Sequence, residues 1–338
     1  MLKKLFKLLK NRRLKRFLNC IRYSYSSYLV YDFINRIGGY KKEKYQVFNS
    51  IGYYPDFKNP ESFNEKILWK KFYDRNPLLP IVSDKYRVRE YLKNFLGPAE
   101  SEKILTNLLF VTDSPASIPF DTLPDEYIIK PNHASGWLII AENIDGQKKI
   151  TIIYDNKKTV LYDCSKTRAE IINTCNDWLS KAYGFSQFEW AYQQIKRKII
   201  IEKFLRGKNG NPPDEYKLTV FNGKCNSITV CHERFGNKSS SRYKPDWSYV
   251  NVLLNENIKQ AEYESAPEKL QSMIDLAEKI GKAFDYIRVD LHLLDGEVYF
   301  GELTNYAASG KINFKPISYD FDFGSNWKIN PGYWRKQK

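Results

Sequence analysis

Apolar and polar positions along this chain divide it into a helical first part and a strand-rich remainder. Leu2, Leu5, Phe6 and Leu9, then Leu14, Phe17, Leu18 and Ile21, recur at helical spacing, and Lys3, Lys4, Lys7, Lys10, Arg12, Arg13, Lys15 and Arg16 fill most positions between them. This spacing predicts a basic amphipathic helix over residues 1–22. A second helix is expected over about 28–45, with a break between Pro55 and Pro60. Over 62–73 (SFNEKILWKKFY), Phe63, Ile67, Leu68 and Phe72 share one face and charge occupies the other, which predicts a third. Ser83 is placed as the N-cap of a fourth over 84–95, with Asp84 in its first turn and Gly97-Pro98 ending it.

From there the period changes to two. Strands are expected over 104–111, 126–131, 137–142 and 149–154, then a long helix over about 167–183. The run 198–205 is apolar on both faces, as in a central strand. Strands 215–221 and 225–232 flank Asn222-Gly223, a strong hairpin turn. Residues 233–249 are polar and Ser-rich and read as a mobile loop. A helix over about 267–284 leads into strands 286–290 and 298–302, joined through Asp295-Gly296. The aromatic tail after Lys315 reads as loop. Runs of strands punctuated by a few helices predict an α+β class rather than a doubly wound parallel sheet.

The chain has 338 residues, enough for two or three lobes, and 25 Tyr and 20 Phe place it among folded proteins. Five cysteines without a C-x-x-C spacing and only three histidines leave no zinc framework, and the thiols are expected reduced, in a cytosolic compartment. Net charge is +15, but residues 1–22 carry nine Lys/Arg and no acid, so +9 belongs to one segment and +6 to the rest. Such a segment reads as lying on an anionic membrane surface; a helix packed on its own protein or an RNA-touching arm are the alternatives. Its apolar runs are too short to span a bilayer, and it lacks the stretch and cleavage site of a signal peptide. No helix-turn-helix, zinc finger or RNP-type strand supports a nucleic-acid partner.

Candidate chemistry starts at the last hairpin. Alternation puts Arg288 and Asp290 on one face, and the return strand brings Glu302 beside Asp290. Facing carboxylates repel unless a cation separates them; Mg²⁺ suits an all-oxygen set, and Arg288 can grip an anion. A surface hairpin with three solvated charges is the alternative. Four further pieces can join it. Lys130 ends a strand beside the turn Asn132-His133-Ala134-Ser135-Gly136, where backbone N–H groups can wrap a phosphate. Glu202-Lys203-Phe204-Leu205 closes an apolar strand able to meet an adenine edge and ribose hydroxyls. Asp84-Lys85 opens a helix, and Glu302 leads into Thr304-Asn305 and Ser309-Gly310. Neither a Walker A loop nor G-x-G-x-x-G occurs.

In their order these pieces resemble the ATP-grasp superfamily, which includes D-alanine–D-alanine ligase. Its D-K helix start, I-x-K-P strand, E-K-x-L hinge, R-x-D strand and E-x-N strand correspond to Asp84-Lys85, Ile128 to Pro131, Glu202 to Leu205, Arg288 to Asp290 and Glu302 to Thr304. More narrowly the chain resembles the TupA-like branch, linked to teichuronic acid and other surface polysaccharides. The carrying stretches are 63–66, 84–91, 130–136, 214–217 with 221–223, and 288–291 with 300–304. Two departures stand out. Thr304 takes the place of the family's metal-binding Asn, with Asn305 beside it, and no nucleotide-like first domain is evident in the helical first 98 residues.

The resemblance implies two α+β lobes clasping ATP, behind a helical N-terminal region. The corresponding division is 1–22, the basic helix; 23–98, helical; 99–205, an N-lobe with a lid loop; 206–315, a C-lobe with the metal site; and 316–338, the aromatic tail. It implies ATP and Mg²⁺ as cofactors and a carboxylate–amine ligase working through an acyl-phosphate. Asp290, Glu302 and Thr304 would hold metal. Lys85, Lys130, His133, Ser135, Gly136, Glu202, Lys203, Phe204, Leu205 and Lys217 would line the nucleotide. Arg288 and Lys130 would act in the chemistry, with His292 behind the metal. Implied partners are an acidic sugar or amino-acid acceptor, free or lipid-linked, at the inner face of a bacterial membrane. The rival readings are a capsule glycosyltransferase, for which Asp320-Phe321-Asp322 is the D-x-D candidate, and an inactive ATP-grasp binding module.

Overall fold

A computed structural model of the chain describes residues 22, 24–144, 146–155, 157–162, 165–207, 213–232, 239–254 and 259–337. The amphipathic helix expected over 1–22 lies, apart from Arg22, outside them. The chain forms two compact units: residues 1–37, 84–86 and 106–204 make the first, and 38–83, 87–105 and 205–338 the second. The class is α+β: helices with two mostly antiparallel sheets.

Unit 1 is built on six strands, β1 (Leu108–Thr112), β2 (Tyr127–Pro131), β3 (Leu138–Ile144), β4 (Gln147–Tyr154), β5 (Lys157–Tyr162) and β6 (Ile199–Lys203). They pair in the order β1-β6-β2-β3-β4-β5, antiparallel throughout. One face of this sheet (Tyr127, Ile129, Ile139, Ile150, Ile199, Ile201) packs on the helix Ser165–Ser180 through Ile171, Cys175 and Trp178. Alternation then leaves Lys130 and Glu202 together on the opposite face.

The helix Tyr25–Ile37 belongs to the same unit. Tyr28 is buried, and its hydroxyl donates to the Phe188 carbonyl at 3.3 Å. Five apolar positions of the helix are uncovered: Leu29, Val30, Phe33, Ile34 and Ile37 are 48–73% exposed, while Asp32 is buried beside Tyr28.

Unit 2 carries β7 (Glu215–Phe221), β8 (Lys224–His232), β9 (Ser239–Tyr243), β10 (Lys259–Gln260), β11 (Tyr286–Leu294) and β12 (Glu297–Thr304). Their order is β10-β9-β8-β7-β11-β12, with only β10 parallel to its neighbour. The helix Phe63–Tyr73 opens with a reciprocal cap, Ser62 Oγ accepting from the Glu65 N–H and the Glu65 carboxylate accepting from the Ser62 N–H. Phe63, Ile67, Leu68 and Phe72 are buried as expected, but so are Asn64, Glu65, Lys70 and Lys71, so the expected charged face is not left to solvent.

Several expectations are corrected. The helix over 28–45 is two, Tyr25–Ile37 and Lys41–Ile51, because Gly39 and Tyr40 take positive φ values of 64° and 52°. Asp84 does not start a helix: the helices are Leu78–Val82 and Arg87–Leu96, and Ser83 follows the first rather than capping the second. Residues 233–249 are not all loop, since β9 falls among them and Trp247 is buried. The aromatic tail is core. It forms the helix Ser318–Ser325, and Phe323 and Trp327 pack on Phe63 and Phe221. That packing needs Gly324, where a Cβ would stand 2.4 Å from the Phe63 nitrogen. Asp320, offered as half of a D-x-D pair, is buried and accepts from the Tyr53 hydroxyl and from the Asn64 backbone and side chain.

A wholly buried lysine ties three segments of unit 2. Lys70 Nζ donates to Asp74 at 2.7 Å and to Asp285 at 2.8 Å, and reaches the Tyr333 hydroxyl at 3.3 Å. Burial alone would lower its pKa; the two carboxylates more than reverse that. Lys70→Met would leave both acids buried without a countercharge, so we expect a loss of about 3–5 kcal/mol in urea-induced unfolding. A loss under about 1 kcal/mol would show that the acids find other partners.

Candidate active site

Register in unit 2 builds a polar row across four strand pairings. Glu302 opposes Asp290, Asp290 opposes Lys217, Lys217 opposes Thr229, and Thr229 opposes Arg242. A second row, one pleat away, runs Thr304, Arg288, Thr219 and Ser227. Opposed residues share a face, so these side chains stand on one side of the sheet.

The hairpin reaches this register through a bulge. Leu294 opposes Glu297 across the Asp295-Gly296 turn, and the count continues to Leu291 opposite Phe300. Unbroken, it would set Gly301 against Asp290. The register shifts there instead, leaving Gly301 extra and Glu302 facing Asp290. A Cβ on Gly301 would lie 3.0 Å from the Asp290 carbonyl oxygen and 3.1 Å from His292 Nε2, so a side chain would crowd the bulge that aligns the acids.

Between the acids stands a guanidinium. Arg288 donates from Nε and Nη2 to the two Asp290 oxygens, each at 2.6 Å, and Nη2 also donates to Thr304 Oγ1 at 3.0 Å. Glu302 lies 4.0 Å from the same nitrogen. Burial pushes the Asp290 carboxyl up, and Arg288 and Lys217 act against it. Lys217 is held 3.1 Å from Glu215; burial alone would lower its pKa, and Glu215 with Asp290 leaves it raised.

Asp290, Glu302 and Thr304 form an oxygen-only donor set, which suits Mg²⁺. Both Asp290 oxygens accept from Arg288, and each keeps a further lone pair, so the set fits a metal with Arg288 in place. Asn305 does not join it. Its Nδ2 donates to the Leu79 carbonyl and Ser83 Oγ, as alternation requires of the residue after Thr304. His292 Nδ1 hydrogen-bonds with the Asp214 carbonyl at 3.3 Å.

Unit 1 holds the remaining sequence candidates except Leu205, which falls in unit 2. Lys130 Nζ donates to Glu202 at 3.0 Å, and Thr106 Oγ1 donates to the other Glu202 oxygen at 3.1 Å. The Lys203 N–H donates to the Asn107 carbonyl, the Lys203 side chain is exposed, and Phe204 is buried. Lys85 is fastened to the 132–136 turn: its N–H donates to the Asn132 carbonyl and its Nζ to the Ala134 carbonyl. Asn132 Nδ2 in turn donates to Asp84 at 2.9 Å. Within that turn Ser135 is half-buried and Gly136 is exposed with φ +75°. His133 is buried against the Lys181 carbonyl, and burial pushes its pKa down to about 3, which keeps it neutral at physiological pH. Its imidazole is thus turned into the interior of unit 1.

A cavity of about 500 Å³ opens in unit 2 beside the polar rows. Arg242 and Lys311, absent from the sequence reading, line it together with Lys217 and Arg288. Lys311 Nζ lies 3.2 Å from Glu43.

A profile of the TupA-like ATPgrasp family matches residues 65–328, well over half of the chain. The chain belongs to the TupA-like ATP-grasp family. Among curated proteins none matches it. Similar solved structures include a D-alanine–D-alanine ligase from Bacillus anthracis complexed with ATP (15% identity, TM-score 0.38, 72% of this chain and 66% of that one). Others are a D-alanine–D-alanine ligase from Helicobacter pylori (14%, 0.38, 74% and 62%) and N5-carboxyaminoimidazole ribonucleotide synthetase from Thermus thermophilus (12%, 0.37, 69% and 48%). This TupA-like chain thus spans under two thirds of the length of each.

Proposed function

We propose that this protein is an ATP-dependent carboxylate–amine ligase that forms an amide on an acidic sugar or amino acid in bacterial surface polysaccharide assembly. The observation that carries this reading is the bulged register that sets Asp290 and Glu302 side by side with Arg288 and Lys217 on one sheet face, in a member of the TupA-like ATP-grasp family.

Chemistry of this type needs positioning and charge neutralisation more than covalent help. A carboxylate oxygen of the acceptor attacks the γ-phosphorus and ADP leaves, giving an acyl-phosphate. An amine nitrogen then attacks the acyl carbon, phosphate leaves and the nitrogen loses a proton. Asp290, Glu302 and Thr304 would hold Mg²⁺, which when bound neutralises phosphate charge. Lys130 and Lys85 would bind phosphate oxygens, and the backbone of 132–136 would wrap them and exclude water. Glu202, Lys203, Phe204 and Leu205 would frame the nucleoside. Arg288 would orient the acceptor carboxylate and balance charge developing on it.

Lys130→Ala and Asp290→Asn should each weaken Mg-ATP binding by about 10-fold or more, the scale of one charge-assisted contact, in isothermal titration calorimetry. Unchanged affinity in both variants would refute the site. Phosphate release with paired sugar acids and amines tests turnover. Sugar-nucleotide binding without ATP binding would favour a glycosyltransferase, and ATP binding without turnover an inactive module.

Contact with an anionic membrane face is part of the same reading. Its supports are the nine cationic residues of 1–22 and the uncovered apolar positions of the Tyr25–Ile37 helix. None of the described helices is long and apolar enough to cross a membrane. Deleting residues 1–22, or replacing Phe33 and Ile34 by Ser, should lower co-sedimentation with phosphatidylglycerol vesicles several-fold, in proportion to charge near the surface and apolar area lost. Equal sedimentation of all forms would contradict membrane contact.

A further inference from the structure

The cavity beside the polar rows of unit 2 is lined by four cationic side chains and no acidic one. Three of the four lie beside a carboxylate: Lys217 has Glu215 at 3.1 Å, Arg288 has Asp290 at 2.6 Å, and Lys311 has Glu43 at 3.2 Å, which it shares with Lys71. Arg242 is the exception. It is 5% exposed, and among the described residues no carboxylate pairs with it. Its Nη2 donates to Ser227 Oγ at 2.8 Å, while its buried Nε has no acceptor. Burial lowers its pKa, as expected for a guanidinium taken from water without a countercharge.

The surroundings show how such a charge is tolerated. The guanidinium carbon lies 4.3 Å from the ring centre of Phe323 and 5.4 Å from that of Tyr319, a cation–π bed that partly replaces water. Rings near the guanidinium carbon offer it no hydrogen-bond acceptor, so its N–H groups still call for acceptors in their own plane. A buried cation with an unused edge donor, at the wall of a cavity holding three more cations, is a site for an anion. The cavity volume suits a small metabolite rather than a single ion.

We infer that Arg242 binds a second anionic group of the acceptor substrate, a carboxylate or phosphate distinct from the group that Arg288 orients. This rests on the ligase reading for what the substrate does, but not for whether the anion binds. An acceptor with two negative groups would span from Arg288 and Lys217, on β11 and β7, to Arg242 on β9. A neutral sugar or a simple mono-acid would leave the guanidinium unpaired.

Calorimetric titration of the full chain with glucuronate 1-phosphate, glucuronate and glucose 1-phosphate tests this. The ligand with both anionic groups should bind at least tenfold more tightly than either ligand with one, and Arg242→Gln should abolish that preference. Whichever single-group ligand also loses affinity in the variant identifies the group held at Arg242 as carboxylate or phosphate. No preference in the wild type, or a preference that survives in folded Arg242→Gln, overturns the inference; so does a variant that is only less heat-stable. Should Arg242→Gln not fold, Arg242→Lys carries the test, because it keeps the charge and loses the planar fork. At least a threefold fall in preference is expected, and no fall overturns the inference. Mg-ATP titrations of the wild type separate the two readings: preferential binding of the two-group ligand without ATP binding removes the ligase and keeps the anion site, and ATP binding without that preference does the reverse.

Discussion

The bidentate pair between Arg288 and Asp290 is the constraint on which unit 2's site depends. Asp290 is fully buried in an interior strand of its sheet, and Glu302 stands opposite it. Burial pushes the Asp290 carboxyl up, and a second carboxylate beside it needs positive charge nearby. Arg288 supplies it, Lys217 adds to it from the next strand, and each cation is itself fixed by a carboxylate. The charges therefore form a chain of mutually dependent pairs, and the bulge at Gly301 sets its register. A shift of one residue would turn Glu302 away and put Gly301 in its place.

Unit 1 solves a different problem with the same alternation. One face of its sheet is isoleucine-rich and buried under a helix, so the other must carry whatever chemistry the strands hold. Lys130 and Glu202 occupy that face and neutralise each other. The 132–136 turn is stiffened rather than loose: Asn132 hydrogen-bonds with Asp84 and with the backbone of 196 and 198, and Lys85 closes on Ala134. A neutral, buried His133 fits this role as a fastener of the turn.

Much of this could be read from the sequence because local rules carried it. Asp295-Gly296 and Asn222-Gly223 adopt the positive φ values that two-residue hairpins demand, so both hairpins lie where the dipeptides placed them. The facing of Asp290 and Glu302 was expected, but the bulge that achieves it was not, since a bulge depends on the packing of both strands. β9 escaped because Ser239-Ser240-Ser241-Arg242-Tyr243 lacks the apolar alternation of a strand; pairing with β8 decides it. Arg242 went unseen with it. The tail escaped for the opposite reason: its aromatics have no strand or helix period, and their burial comes from Phe63 and Phe221, far away in sequence. The Gly39 break shows the limit of periodicity when a turn residue interrupts a helical pattern.

The most direct test of the account is a crystal structure of the protein with Mg²⁺ and a non-hydrolysable ATP analogue. It should show the ion about 2.1 Å from an oxygen of Asp290 and of Glu302, with nucleotide phosphate completing its shell. A nucleotide bound elsewhere, or bound here with both acids closed on Arg288 and no ion between them, would contradict it.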